Sequence, residues 1–329
     1  MSVTVQPEKI LHELADLWVS LGKEESTGVL RACAMTLIVA VDNSADAAAA
    51  ESTLAELMHE HPSRAIVLKL LEAEREILDA RVFAQCWMPF GGRQQICCEQ
   101  IEIAASCDRM AGVILVVLGI TVPDLPVVLW SRSARILQLP EFHQLLPLVH
   151  KVIADSAELG SPSEALRRVQ ELQTGRRHVA DLAWTRLTRW RELIANAFEE
   201  PGRLAKLPET ARIKIFHAGE KTPSAAYYLG AWLLSALAGP EKRAIEFRPA
   251  EGGGDAIKGV ELSAPNWTAS FRLSDSSAMI DFGGAQSKVM LSGLSEYTLL
   301  REELAILEKD PVFERALEAA VRLAGSNSQ

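Results

Sequence analysis

The sequence predicts an α/β protein. A mainly parallel sheet with helices is expected over residues 1–160, a helical connector over 161–210, and a C-terminal α+β domain with an antiparallel meander over 211–329. Three observations carry this. Short apolar runs alternate with helical patterns through the first half. A stretch rich in Arg and Trp follows at helical spacing. Closely spaced strand-like runs with Gly, Pro and Asn turns then fill the last third. A length of 329 residues suits two domains better than one core.

Taken in order, Pro7–Leu21 places Ile10, Leu11, Leu14, Leu17, Trp18 and Leu21 on one helical stripe that Gly22 ends. Arg31–Val41 is apolar and partly β-branched, a buried strand. Asp42–Ser44 turns the chain into an Ala-rich helix over Ala45–His59, and His61–Pro62 breaks it. Strands are expected at Ala65–Leu70, Ala80–Trp87, Gln94–Ala104, Val127–Trp130 and Leu148–Ala154, with a buried helix over Asp108–Leu118 capped by Asp108. Ala165–Gln173 and Trp184–Phe198 read as helices. In the last third, Arg212–His217 is a strand and Thr222–Leu237 a helix capped by Thr222. Strands at Ala244–Arg248, Ile257–Ser263, Thr268–Leu273 and Ala278–Phe282 follow, with a further one at Lys288–Leu291. Helices over Leu294–Lys309 and Val312–Ala324 close the pattern.

The net charge of −9 disfavours general binding to phosphate backbones. The charge is uneven. Ser163–Lys214 holds eleven Lys or Arg against seven Asp or Glu, a local +4, so the remainder carries −13. A basic middle suits either an acidic partner or a solvated helix face. Five cysteines, an odd number, with a polar Met1–Ile10 point to a cytoplasmic chain with reduced thiols. Ala111–Ile120 is apolar but too short to span a bilayer, so no membrane partner is expected.

Catalytic signatures are absent. The sequence has no G-x-x-x-x-G-K-[ST], no G-x-G-x-x-G and no G-x-S-x-G. His59 and His61, two apart at a helix end, are poorly spaced for a metal. Cys97 and Cys98 on one strand point to opposite faces, which suits structural burial better than redox chemistry. Gly252–Gly254 with Asp255 reads as a turn. Asp181–Leu193 (DLAWTRLTRWREL) places Trp184, Leu187 and Trp190 on one stripe with Arg186, Arg189 and Arg191 beside it. That pattern fits a core helix with solvated arginines, or an interface, where Trp and Arg are enriched. Pro62–Arg64 and Asp124–Trp130 fall near strand ends, where loops at carboxyl ends form ligand crevices in open sheets. The candidate partner-binding residues are Arg64, Asp124, Trp130, Trp184, Arg186, Arg189, Trp190 and Arg191.

Five segments, RACAMTLIV (31–39), HPSRAIVL (61–68), QICCEQIEI (95–103), VPDLPVVLW (122–130) and DLAWTRLTRWREL (181–193), resemble the OpcA family of glucose-6-phosphate dehydrogenase assembly proteins in order and approximate spacing. The resemblance covers most of residues 30–200; beyond Ala211 it is one of layout. It implies a non-catalytic effector without a cofactor that binds glucose-6-phosphate dehydrogenase and supports its active oligomer. Photosynthetic members are associated with thioredoxin-linked control, but no cysteine follows Cys107 here, so a switch built on C-terminal thiols could not operate. The alternative is a protein or enzyme with a dispersed site for a sugar phosphate or nucleotide.

Overall fold

A computed structural model describes residues 5–24, 29–71, 77–89, 91–92, 94–237, 243–251, 256–274, 277–291 and 293–326. The chain divides into two compact units. Unit 1 is residues 1–158, 172–180 and 296–308; unit 2 is residues 159–171, 181–295 and 309–329.

In chain order the elements are α1 (Pro7–Glu24), β1 (Val29–Arg31), β2 (Met35–Val41), α2 (Ser44–Leu57), β3 (Ser63–Leu71), β4 (Leu78–Trp87), β5 (Gln95–Ser106) and α3 (Met110–Ile120). Then come β6 (Val127–Ser131), β7 (Lys151–Ala154), α4 (Pro162–Leu172), β8 (His178–Asp181), α5 (Leu182–Thr185), α6 (Thr188–Ala197) and α7 (Pro201–Leu204). The remainder is β9 (Arg212–His217), α8 (Ser224–Ala236), β10 (Ala244–Pro249), β11 (Ile257–Ala264), β12 (Trp267–Ser274), β13 (Ser277–Phe282), β14 (Ala285–Met290), α9 (Glu296–Ala305) and α10 (Pro311–Ser326).

The first sheet runs β1-β5-β3-β2-β6-β7-β8, with β4 paired antiparallel to β5. Numbering its six main strands from β2 gives the order 3-2-1-4-5-6, the doubly wound arrangement. Every residue of β2 and β6 is buried, as is nearly all of β3. Helices on both faces demand such continuous apolar strands, and MTLIVAV meets the demand with β-branched residues.

The second sheet runs β10-β9-β11-β12-β13-β14. Its strands alternate, as in Arg212–His217, where Ile213, Ile215 and His217 are buried between more exposed neighbours. One face is apolar and the other wet. Phe198, Trp267, Phe271 and Phe282 cluster on the apolar side, with Trp267 and Phe282 stacked at 5.7 Å. In the same unit, Trp184, Tyr228 and Phe313 meet with centroids 5.8–5.9 Å apart.

Several expectations are corrected. The strand expected over Arg31–Val41 begins at Met35, and Arg31 ends a separate short strand, Val29–Arg31, that pairs with a different neighbour. His178–Asp181, inside the expected helical connector, is a strand of the first sheet. Trp184–Phe198 is two helices, because the chain turns at Arg186–Leu187. The meander begins at β11; β10 instead pairs parallel with β9 at the sheet's edge. Arg109, not Asp108, stands at the cap of α3, and Pro223, not Thr222, at that of α8. Cys86 and Cys97 are not free thiols. They face each other across β4 and β5 and form a disulfide. Cys98, on the opposite side of the strand, is free and buried. The Gly252–Asp255 turn lies outside the described residues.

Candidate functional site

In a doubly wound sheet, ligands gather where the strand order reverses, outside the carboxyl ends of the first and fourth strands. Here those strands are β2 and β6, which pair in parallel from Thr36↔Val127 to Ala40↔Ser131. In a dinucleotide site the first turn is glycine-rich, so that backbone amides and the helix N-terminus approach a pyrophosphate. This chain has Asp42–Asn43–Ser44–Ala45–Asp46 at that turn.

Asp42, Asn43 and Asp46 are each engaged. Asn43 caps α2, its Oδ1 accepting from the Asp46 amide at 2.9 Å. Its amide nitrogen donates to Asp46 Oδ2 at 2.6 Å. Asp46 also lies in the first turn of α2, where a carboxylate complements the helix dipole. The Ser133 hydroxyl, just past β6, donates to Asp42 Oδ1, and Arg135 Nε lies 3.4 Å from the same oxygen. Arg132 bonds Glu296 Oε2 at 2.6 Å, approaches Asp46 at 3.8 Å and stacks over Trp130 at 5.5 Å. Thr53 donates to the same Glu296 oxygen at 3.2 Å. The turn that would hold a phosphate therefore presents two carboxylates, and two arginines neutralise them from β6's exit.

A second polar cluster lies inside the same sheet. Glu99 on β5 accepts from Arg64 Nε at 2.6 Å, from Arg31 Nη2 at 2.8 Å and from Trp18 Nε1 at 2.6 Å. Arg64 Nη1 donates onward to the Ile120 carbonyl at 2.6 Å. The side chains of Arg64 and Glu99 are 7% and 3% exposed, and their strands run side by side. The sequence strings HPSR and CCEQ thus meet as one interior ion pair.

The expected partner-binding residues scatter. Arg64 is buried in that pair, and Trp130, Trp184 and Trp190 are each at most 3% exposed. Arg191 lies over the Trp184 ring at 3.7 Å and donates to Thr188. Arg186 and Arg189 are half-buried, and Asp124 is exposed. Asp124 has φ 63, a left-handed conformation that costs a non-glycine residue about 1–2 kcal/mol. Arg64 is the second residue of β3 and Asp124 precedes β6, so both belong to the amino-terminal end of the sheet, not the carboxyl end. His59 packs against Trp87 at 4.9 Å, and the described residues hold no cluster of three metal-ligating side chains. The sequence reading missed Asp42, Asp46, Arg132, Arg135 and Glu296. The signal available was the absence of glycine after an apolar strand.

Residues 54–171 match the family model described as glucose-6-phosphate dehydrogenase subunit N-terminal domain, and residues 177–317 match that of the C-terminal domain. The chain belongs to this family, OpcA. A relative from Nostoc punctiforme, an OpcA protein named for the OxPP cycle, is 33% identical over 186 residues, covering 55% of this chain and 39% of that protein. One of the same name from Synechocystis sp. is 29% identical over 180 residues, covering 54% and 37%. The matches span about two-fifths of those relatives' own length. Among solved structures, biliverdin reductase in complex with biliverdin and NADP+ from Synechocystis sp. superposes with TM-score 0.49 at 11% identity, covering 90% of this chain and 98% of that one. A dehydrogenase (MviM) from Clostridium difficile gives 0.47 at 13%, covering 90% and 99%. No helix among the described residues is long and apolar enough to cross a membrane.

Proposed function

We propose that this OpcA family member is a non-catalytic assembly factor that binds glucose-6-phosphate dehydrogenase and supports its active oligomer in the oxidative pentose phosphate pathway. One observation carries the non-catalytic part: the first βα turn of the doubly wound sheet is filled by Asp42, Asn43 and Asp46. A pyrophosphate placed there would compete with two carboxylates for the arginines that already neutralise them. Asn43 already uses the Asp46 amide that an anion would need. The family description names the dehydrogenase, and the family match supports it as the partner.

On this reading the partially exposed Arg186 and Arg189 face the partner. Arginine's planar fork suits carboxylates on another protein. The test is a rate measurement with purified cognate dehydrogenase, with and without this chain. The chain alone should reduce no NADP with glucose 6-phosphate. Added to the dehydrogenase it should raise turnover or substrate affinity and co-elute with it. An unchanged rate at saturating protein, with no co-elution, sinks the reading. Arg186→Ala with Arg189→Ala should weaken binding tenfold or more while the melting temperature barely moves.

A further inference from the structure

A separate feature lies at the opposite end of the first sheet. A cleft of about 630 Å³ opens at the amino-terminal ends of the adjacent strands β7 and β8, lined by Leu146–His150 and Thr174–Arg177. The two segments are tied together by the His178 amide, which donates to the His150 carbonyl at 2.8 Å.

The polar lining carries two arginines and no acid. It offers His150, Thr174, Arg176 and Arg177, and no carboxylate, in a chain of net charge −9. Arg177 is 9% exposed, and its guanidinium is held by two carbonyls, Leu172 O at 2.6 Å and Leu146 O at 3.1 Å. Among the described residues neither Arg176 nor Arg177 forms an ion pair. A buried cation satisfied only by neutral acceptors retains an electrostatic cost that an anion would offset. Arg176 is exposed at the rim. His150 Nδ1 accepts from the Val127 amide at 3.0 Å, so the neutral ring carries its proton on Nε2. The exposed ring therefore adds an N–H donor. Two guanidinium groups, an imidazole N–H and the Thr174 hydroxyl together match a tetrahedral oxyanion with several acceptor oxygens.

We propose that this cleft binds the dianionic phosphate of a phosphorylated small molecule. Its volume falls within the range of small-ligand sites. The assignment does not depend on the assembly role.

Calorimetric titration of the full chain tests it, with glucose 6-phosphate and inorganic phosphate as probes and glucose as control. Saturable binding of glucose 6-phosphate, competed by inorganic phosphate and not by glucose, is expected. Arg176→Ala should weaken it at least tenfold with an unchanged melting temperature, since Arg176 is exposed. His150→Gln should weaken it less, and Arg167→Ala, on the exposed face of α4, should leave it unaltered. Absence of saturable binding at about 1 mM would overturn the proposal. So would binding indifferent to both Arg176→Ala and His150→Gln, which would place the site elsewhere. If Arg176→Ala impairs capture of the dehydrogenase and leaves phosphate binding intact, the cleft is a protein-docking surface and the small-anion assignment falls.

Discussion

The first sheet buries ion-paired charges in its interior, and the second carries such pairs on its wet face. Glu99 and Arg64 pair in the interior of unit 1, and Lys151, its side chain 4% exposed, reaches Glu303 Oε2 at 2.7 Å. In unit 2, Lys214 and Glu261 pair at 2.7 Å with their side chains 27% and 21% exposed, and Arg212 approaches Glu246 at 3.6 Å near the sheet's edge. The contacts are alike in length, but their surroundings differ. Water screens the second set. In the first set, removing one member strands the other in a medium that solvates it poorly. Hydrogen-bond length alone therefore says little about what a pair contributes.

This contrast sets an order of expected effects. Glu99→Ala should cost the most, about 3–5 kcal/mol, because Arg64 would remain buried without its counter-ion. A urea denaturation curve measures it; a loss under about 1 kcal/mol would mean that Arg64 finds water, and the contrast would break. Next comes the Cys86–Cys97 cross-link. Reducing it should remove about 2–3 kcal/mol, as expected for a short closed loop, visible as a lower urea midpoint with reductant. Tyr228→Phe in unit 2 should cost about 1–3 kcal/mol. The buried Tyr228 hydroxyl donates to Asp181 Oδ2 at 2.7 Å, and the substitution withdraws one of that carboxylate's donors. Glu261→Ala, on the wet face, should cost at most about 1 kcal/mol.

A last expectation concerns pH. Burial pushes the Cys98 thiol up to about 11, from an ordinary value of 9.0. Its folded value exceeds its unfolded one, so the protonated thiol favours the fold. That contribution is intact below pH 9 and declines as pH rises from about 9 to 11. Native labelling at neutral pH should modify the half-buried Cys33 before Cys98, and Cys98 only on unfolding. Rapid native modification of Cys98 would show that the interior of β5 opens readily.

The same contrast explains what could be read in advance. Strands buried on both faces are continuous apolar runs, so β2, β3 and β6 stood out, while β9 and β11–β13 were found through alternation and turn residues. β8 escaped because HVAD is four residues long and follows two arginines. The break between α5 and α6 escaped because both tryptophans fit one helical stripe. Pairing was less legible than existence: no local signal told that β10 would lie parallel beside β9. The disulfide follows from the register of β4 against β5, which an odd cysteine count obscured. Of the site, the sequence showed the missing glycines after β2, but not that Arg132, Arg135 and Glu296 would gather there, because they come from distant segments. Arg64 looked like a surface residue because isolated arginines usually are; its partner lies 35 residues away.

Lys151 has a consequence for the order of events during synthesis. Its ammonium donates to the Glu303 and Ile306 carbonyls and to the Glu303 carboxylate, all supplied by the end of α9 and its exit, some 152 residues further along the chain. At about 5–20 residues per second, a ribosome needs roughly 8–30 s to deliver those partners. Through that interval the first sheet has a cation at the start of β7 with no place to discharge it, so β7 must stay wet. Unit 1 thus completes this contact only after residues 159–171 and 181–295 of unit 2 have been synthesised. It waits for the chain to pass through unit 2 and come back.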